Sequence, residues 1–250
     1  MDVAEKGEPM PILSLGEGKN MVTQLLLVNL TVFILLFFTQ IVYNIEGNST
    51  IRFNLDVMNN VILPASFSRL ARLPWTFITS LFVNESVWLI FGNMVWLWAF
   101  GSVLQRKAGP GIILPLYLFG GMAGNLLYML GMQFIPAWHP TQFFASYFGS
   151  SASVMSLAVA TLLLAPDVRF FQKLNGGGGI PMWVVTVLYI LMAVSEHLFS
   201  HHDLTTLPAL IGGAITGFLF MSAWKKGNDW GAGFNKLVYK ATHLFHPKEN

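Results

Sequence analysis

The strongest constraint on this chain is a succession of six apolar stretches, nearly free of charge, at about 22–43, 81–103, 112–134, 149–166, 180–199 and 204–224. A run of about 20 apolar residues matches the hydrocarbon core of a bilayer when it is helical, because only a helix or a closed barrel satisfies its own backbone hydrogen bonds in lipid. Charged residues make up only 10% of the 250, against about 25% in water-soluble domains, so water is not the main solvent of this chain. The expected fold is an all-α membrane protein with six transmembrane helices and a long external loop between helices 1 and 2.

The segments between these stretches set the organisation. Residues 1–20 mix six charges with Gly and Pro and read as a short cytoplasmic tail that cannot bury enough surface to fold alone. Residues 21–224 form the membrane domain, and 225–250 a second cytoplasmic tail whose Lys residues and Leu237, Val238, Leu244 and Phe245 suit a membrane surface. The loop at 44–74 is too long for a simple connection and should carry short helices, with Arg69 and Arg72 reaching lipid phosphates while Phe67, Leu70 and Trp75 dip inward. Sequons at Asn48 and Asn84 matter only in a eukaryotic secretory pathway.

Charge also orients the chain. Of the 14 Lys and Arg, only Arg52, Arg69 and Arg72 fall between spans one and two; the others lie in the tails and in the loops after spans two and four. Cytoplasmic segments carry the excess of Lys and Arg, so both tails are expected inside, in a bacterial inner membrane. A net charge of +2 gives no reason to infer a nucleic-acid partner, and the absence of cysteine removes disulfides and thiolate metal sites.

Two polar features inside the spans call for an explanation. The fourth span opens with a run of serines at 150, 151, 153 and 156, and a small-x-Ser-small turn at a helix start admits two readings: close helix packing, or an exposed nucleophile. The second is Asn93, some ten residues and about 15 Å into span two, whose amide needs a partner. On this topology Asn93, Ser151 and Ser153 could line one outward cavity. Small faces at Gly120, Gly121 and Gly124 on span three, and at Gly212, Gly213 and Gly217 on span six, indicate close helix approach; the latter set is a candidate surface for a membrane partner.

Several segments together resemble the rhomboid intramembrane serine proteases. Pro74-Trp75-Thr76-Phe77 is similar to the aromatic start of that family's second helix, and 91–101 with Leu104-Gln105 to its Asn-containing helix end. Residues 116–126, with Tyr117-Leu118 and Gly121, resemble the Tyr-Leu-x-x-Gly helix. Gly149-Ser150-Ser151-Ala152 resembles the Gly-x-Ser-Gly nucleophile motif and is followed by the expected Val154-Met155 and Leu157; Ile211-Gly212-Gly213 with Gly217 resembles the glycine-rich sixth helix. The resemblance covers about 74–220. It implies a six-helix rhomboid-like bundle, Ser151 at the nucleophile position and Asn93 on the oxyanion side.

The same resemblance breaks at the general base. The family places a histidine just before the small hydrophobic residue and glycine pair of the sixth helix, where this chain has Leu210; Leu89 and Asn84 stand at two further polar positions, and Ala152 replaces the motif's second glycine. A serine hydroxyl is a weak nucleophile until a base takes its proton, and leucine has no lone pair. His201 and His202 would stand about 12 to 13 Å above Leu210 on a continuous helix. His197 and His201, with Glu196, His202 and Asp203 nearby, have a spacing that a metal could use, against the blander reading of a polar loop at the membrane surface. No cofactor or metal is expected.

Three function classes follow. The first is a non-catalytic rhomboid-like protein, a pseudoprotease, that binds transmembrane segments of a client or acts as a subunit of a membrane complex, with membrane lipids as its other partners. The second is a divergent active intramembrane serine protease. The third is a structural or lipid-organising membrane protein.

Overall fold

A computed structural model of the chain describes residues 20–47, 49–140, 145–170, 178–195 and 204–242. Residues 1–19 of the expected N-terminal tail, Asn48, the histidine segment 196–203 and the end of the C-terminal tail, 243–250, lie outside the described residues.

Local chemistry sets each helix start. The Asn20 side chain accepts the Thr23 N–H to open α1 (Met21–Ile45), and Ser49 and Ser66 cap α2 (Thr50–Asp56) and α3 (Phe67–Arg72) through the N–H groups of Arg52 and Arg69. Such caps satisfy donors that the first helical turn leaves without partners. Strand β1 (Leu63–Pro64) lies between α2 and α3, and α4 (Thr76–Thr79) runs into a 3-10 turn at Ser80–Phe82. Ser86 then caps α5 (Val87–Ala108) through the Leu89 N–H. Gly109, at φ 87°, ends it, and a 3-10 turn at Pro110–Ile112 opens α6 (Ile113–Phe134).

The second half repeats the logic. Strand β2 (Ser146–Tyr147) precedes α7 (Ser151–Leu164), which stops before Ala165-Pro166, where proline cannot supply a helical N–H. Strands β3 (Arg169–Phe170) and β4 (Ile180–Pro181) pair antiparallel and lead into α8 (Met182–Ser195). A 3-10 turn at Leu204–Thr206 opens α9 (Leu207–Lys225), and α10 (Gly231–Thr242) follows.

Among the described residues, four helical segments are long and apolar enough to cross a membrane: Met21–Ile45, Val87–Ala108, Pro110–Phe134 and Leu204–Lys225. Helix α7 is apolar but only 14 residues, about 21 Å long, and α8 is apolar over the 14 residues that are described. Their environments differ. α1 buries only Val22, Thr23, Leu25 and Asn29 and exposes Leu27, Ile34, Leu35, Phe37 and Phe38, the pattern of a helix at the lipid boundary. α7 is buried almost throughout from Ala152 to Thr161 and packs against α5, α6, α8 and α9. The hydroxyl-rich helix is therefore the axis of the bundle.

Backbone contact holds that axis. A Cβ at Gly213 or Gly217 would strike the carbonyl oxygens of Ala152 and Ser156, so α9 lies directly on the α7 backbone, and Gly212 lies on the Ala123 carbonyl of α6. On the other side Gly120, Gly121 and Gly124 meet Ser156, Ser153 and Ala152. The glycines of α9 are thus consumed within the bundle, which corrects the expectation that they offer a surface to a partner; the exposed side of α9 carries Ile211, Ile215, Phe218 and Leu219.

Span two is also corrected. The helix begins at Val87 rather than near Leu81, because Ser86 caps it and Val83–Glu85 is not helical, with Val83 and Asn84 buried. Asn93 consequently lies about 9 Å from the helix start at 1.5 Å per residue, not 15 Å. It stands near the same end of the bundle as Ser151.

Candidate functional site

The site is built by the turn that precedes α7. β2 pairs antiparallel with β1, Leu63 opposite Tyr147 and Pro64 opposite Ser146, and the Ala65 N–H donates to the Ala145 carbonyl at 3.2 Å. Gly149 then donates its N–H to the Ser80 carbonyl at 2.9 Å with φ 111°, a conformation that side chains rarely tolerate. The segment between α1 and α5 is therefore a brace that holds the Gly149 turn. Ser150 is fully buried, the Val154 N–H donates to its carbonyl at 2.8 Å, and Ser151 becomes the first residue of the helix, partly exposed.

The Ser151 hydroxyl donates to Oδ1 of Asn93 at 3.4 Å, a long bond. Asn93 Nδ2 in turn donates to Asn84 Oδ1 at 3.2 Å, and Asn84 Nδ2 to the Phe82 carbonyl at 3.4 Å. From the opposite side Tyr189 of α8 donates its hydroxyl to the Ser151 carbonyl at 3.2 Å, its ring packed against Trp96 and Phe100. The structure thus brings together two residues far apart in sequence, Ser151 and Asn93, and adds two that sequence reasoning did not assign, Asn84 as the support of Asn93 and Tyr189 as the tether of the helix start. The signal for Asn84 was present: a buried amide in an apolar chain needs a partner, and the nearest candidate was another asparagine. Tyr189 carried no such signal.

Among the described residues the chain of amides ends without a base. A carboxamide oxygen accepts a hydrogen bond but does not take a proton near neutrality, and turning the Asn93 amide over would present an NH2 donor to Ser151 instead. Neither orientation activates the hydroxyl. Leu210 is the residue that the family resemblance sets at the base position. The two close approaches of α9 to α7, Gly213 to Ala152 and Gly217 to Ser156, share one sequence offset, so the helices run parallel in register. That offset sets Leu210 level with Gly149, at the Ser151 end of α7, where it is buried in the same apolar core as Val154, Met155 and Tyr189.

Ser153 departs from the sequence expectation. It is fully buried and its hydroxyl faces Gly121 of α6, so it does not line an outward cavity with Asn93 and Ser151. It belongs instead to an interior polar cluster in which Tyr117 donates to Asn29 Oδ1 at 3.2 Å and reaches the Leu81 carbonyl at 3.1 Å. The hydroxyls of Ser150 and Ser153 lie beside that phenol without closing a hydrogen bond. On the far side Asn125 Nδ2 donates to the Phe77 carbonyl at 2.8 Å and to Ser80 Oγ at 2.9 Å. Within the serine-rich helix start Ser153 and Ser156 are packed inside, Ser156 donating to the Leu116 and Ser153 carbonyls, and Ser151 is the one partly exposed serine of the four.

Among the described residues no group of three or more His, Cys, Asp and Glu could hold a metal. The His197, His201 and His202 segment lies outside the described residues. Asn84, one of the two sequon residues named above, is buried and bonded through both ends of its amide, so the folded site is not available to a glycosylating enzyme.

A family model described as Rhomboid domain matches residues 71–225, well over half of the chain. One curated relative, RHOMBOID-like protein 12, mitochondrial, from Arabidopsis thaliana, is 33% identical over 84 residues, which is 34% of this chain and 25% of that protein. The match thus spans about a quarter of the relative's length.

Proposed function

The chain belongs to the rhomboid family of membrane proteins, and from that premise we propose that it works without peptide-bond chemistry, binding transmembrane segments of a client or serving as a subunit of a membrane complex. The observation that carries this reading is the partner of the Ser151 hydroxyl: a carboxamide oxygen, with Leu210 where a base would stand. Removing the base from a serine nucleophile lowers the rate by several orders of magnitude and leaves only what positioning and oxyanion binding supply. Recognition needs no proton transfer. The surfaces left for a client are the outer apolar faces, such as Ile211, Ile215 and Phe218 of α9, since the glycines are engaged inside.

The proposed topology has six crossings with both tails in the cytoplasm. α7 is shorter than a hydrocarbon core of about 30 Å, but it is enclosed by protein and need not match the lipid. The proposed location is a bacterial inner membrane; the plant relative's name makes a mitochondrial membrane the competing location, and cell fractionation separates the two.

The active-protease reading is supported by one feature, the Gly149 turn that sets Ser151 at a helix start. Incubation of the purified protein with a model transmembrane substrate separates the two readings. No cleavage is expected, and partner co-purification should survive Ser151→Ala. Cleavage that disappears with Ser151→Ala would overturn the non-catalytic assignment.

A further inference from the structure

A cavity of about 930 Å3 opens between α3 and the end of α6, apart from the Ser151 site. Its charged wall is Arg69 and Arg72, and across from them stand Gln133 and His139. Ser66 and Ser68 complete the polar lining, their hydroxyl oxygens 3.4 Å apart so that one of the two keeps a proton to donate, and Ser66 also accepts the Arg69 N–H. No carboxylate lines the cavity, and among the described residues neither guanidinium has an ion-pair partner; the salt bridge of this segment joins Arg52 to Asp56 instead. Two unpaired guanidinium groups beside hydroxyl donors form a site for a phosphate, whose oxygens accept from all of them.

The surroundings identify the source of that phosphate. Gln133 is next to Phe134, the last residue of a membrane-length helix, so the cavity lies where the chain leaves the hydrocarbon. Phe67, Trp75 and Phe134 are exposed there, and Trp75 ties its Nε1–H to the Asn60 carbonyl at 2.8 Å while leaving its ring body outward. Aromatic side chains with one wet and one apolar end gather at headgroup depth. We propose that this cavity binds the phosphate of an anionic phospholipid headgroup, with Arg69 and Arg72 as the charged ligands and Phe67 against the acyl chains. The assignment is independent of the chemistry at Ser151.

The test uses the full chain, delipidated in a zwitterionic detergent and titrated with short-chain phosphatidylglycerol, short-chain phosphatidylcholine and inorganic phosphate, with occupancy read by native mass spectrometry. Phosphatidylglycerol should bind at least about tenfold more tightly than either other probe. Arg69→Gln with Arg72→Gln should lower that affinity about 25-fold, taking roughly fivefold per cation near an anionic headgroup. Arg52→Gln, outside the cavity, should change it by less than about twofold. If the double variant does not fold, Ser68→Glu places a carboxylate at the exposed rim and should produce a comparable loss. Unchanged affinity in these variants, or no preference over phosphatidylcholine, overturns the proposal. Inorganic phosphate binding as tightly as phosphatidylglycerol overturns the lipid assignment in favour of a soluble anion.

Discussion

Adding one methyl group at Gly213 tests whether the contact of α9 with the α7 backbone holds the site in place. The new Cβ would fall on the Ala152 carbonyl oxygen, with the carbonyl carbon at 2.9 Å and the Cα at 3.1 Å. Carbon atoms pack best at about 3.5 to 4.0 Å, so α9 must retreat by several tenths of an ångström to about 1 Å, and a gap of that size forfeits a quarter to a half of each neighbouring dispersion contact. Gly217 and Gly212, which touch the backbones of Ser156 and Ala123, would lose contact with it. Overpacking of this kind costs about 1 to 3 kcal/mol, against a gain of roughly 1 kcal/mol from replacing glycine by alanine within a helix. Gly92 provides the control, because it lies within α5 with nothing within 4 Å of its added Cβ, so Gly92→Ala takes the helix gain without the clash. Reversible unfolding of both variants in mixed micelles should find Gly213→Ala less stable than Gly92→Ala by about 1 to 3 kcal/mol. Equal stability, or Gly213→Ala the more stable, would refute the backbone-to-backbone contact.

Further outcomes follow from the same contacts. Asn84→Ala should destabilise the protein by about 1 to 3 kcal/mol in the same unfolding assay, because it strands the buried Asn93 amide. Leu210→His should lower stability unless the ring finds a partner, and Ser151, at the same end of α7 by helix register, is the partly exposed candidate; restored stability that vanishes with Ser151→Ala would identify that pair. Cysteine accessibility should find Glu85→Cys labelled in intact cells and Lys226→Cys labelled only after permeabilisation, and the reverse pattern would invert the topology.

What the sequence displayed was the set of properties that lipid imposes on every residue, and what it concealed was direction. The apolar stretches mark α1, α5, α6 and α9 because hydropathy accumulates along a chain, and two isolated asparagines and a serine cluster stand out against it. Helices apolar on all sides carry no contrast between a lipid face and a protein face. The α9 glycines could therefore be read as a surface for a partner when they lie on α7, and Ser153 as a cavity residue when it faces Gly121. Boundaries suffered for a related reason: Leu81 and Val83 are apolar and buried but belong to the brace beneath the Gly149 turn, and the cap at Ser86 begins the helix. The hydrogen bond between Ser151 and Asn93 crosses from one helix to another; the topology and the family resemblance set the two at one end of the bundle, but neither fixed the contact.

The state of the Ser151 hydroxyl is read most directly from its reaction with a fluorophosphonate probe in the purified, folded protein. An activated hydroxyl is phosphonylated and forms a covalent adduct, whereas one that shares its proton with a carboxamide stays unmodified. No adduct is expected on Ser151, and no difference between the natural sequence and Ser151→Ala. A stable adduct on Ser151, absent from Ser151→Ala and not formed when the protein is unfolded before the probe is added, would show that a base reaches the serine and would overturn the non-catalytic reading.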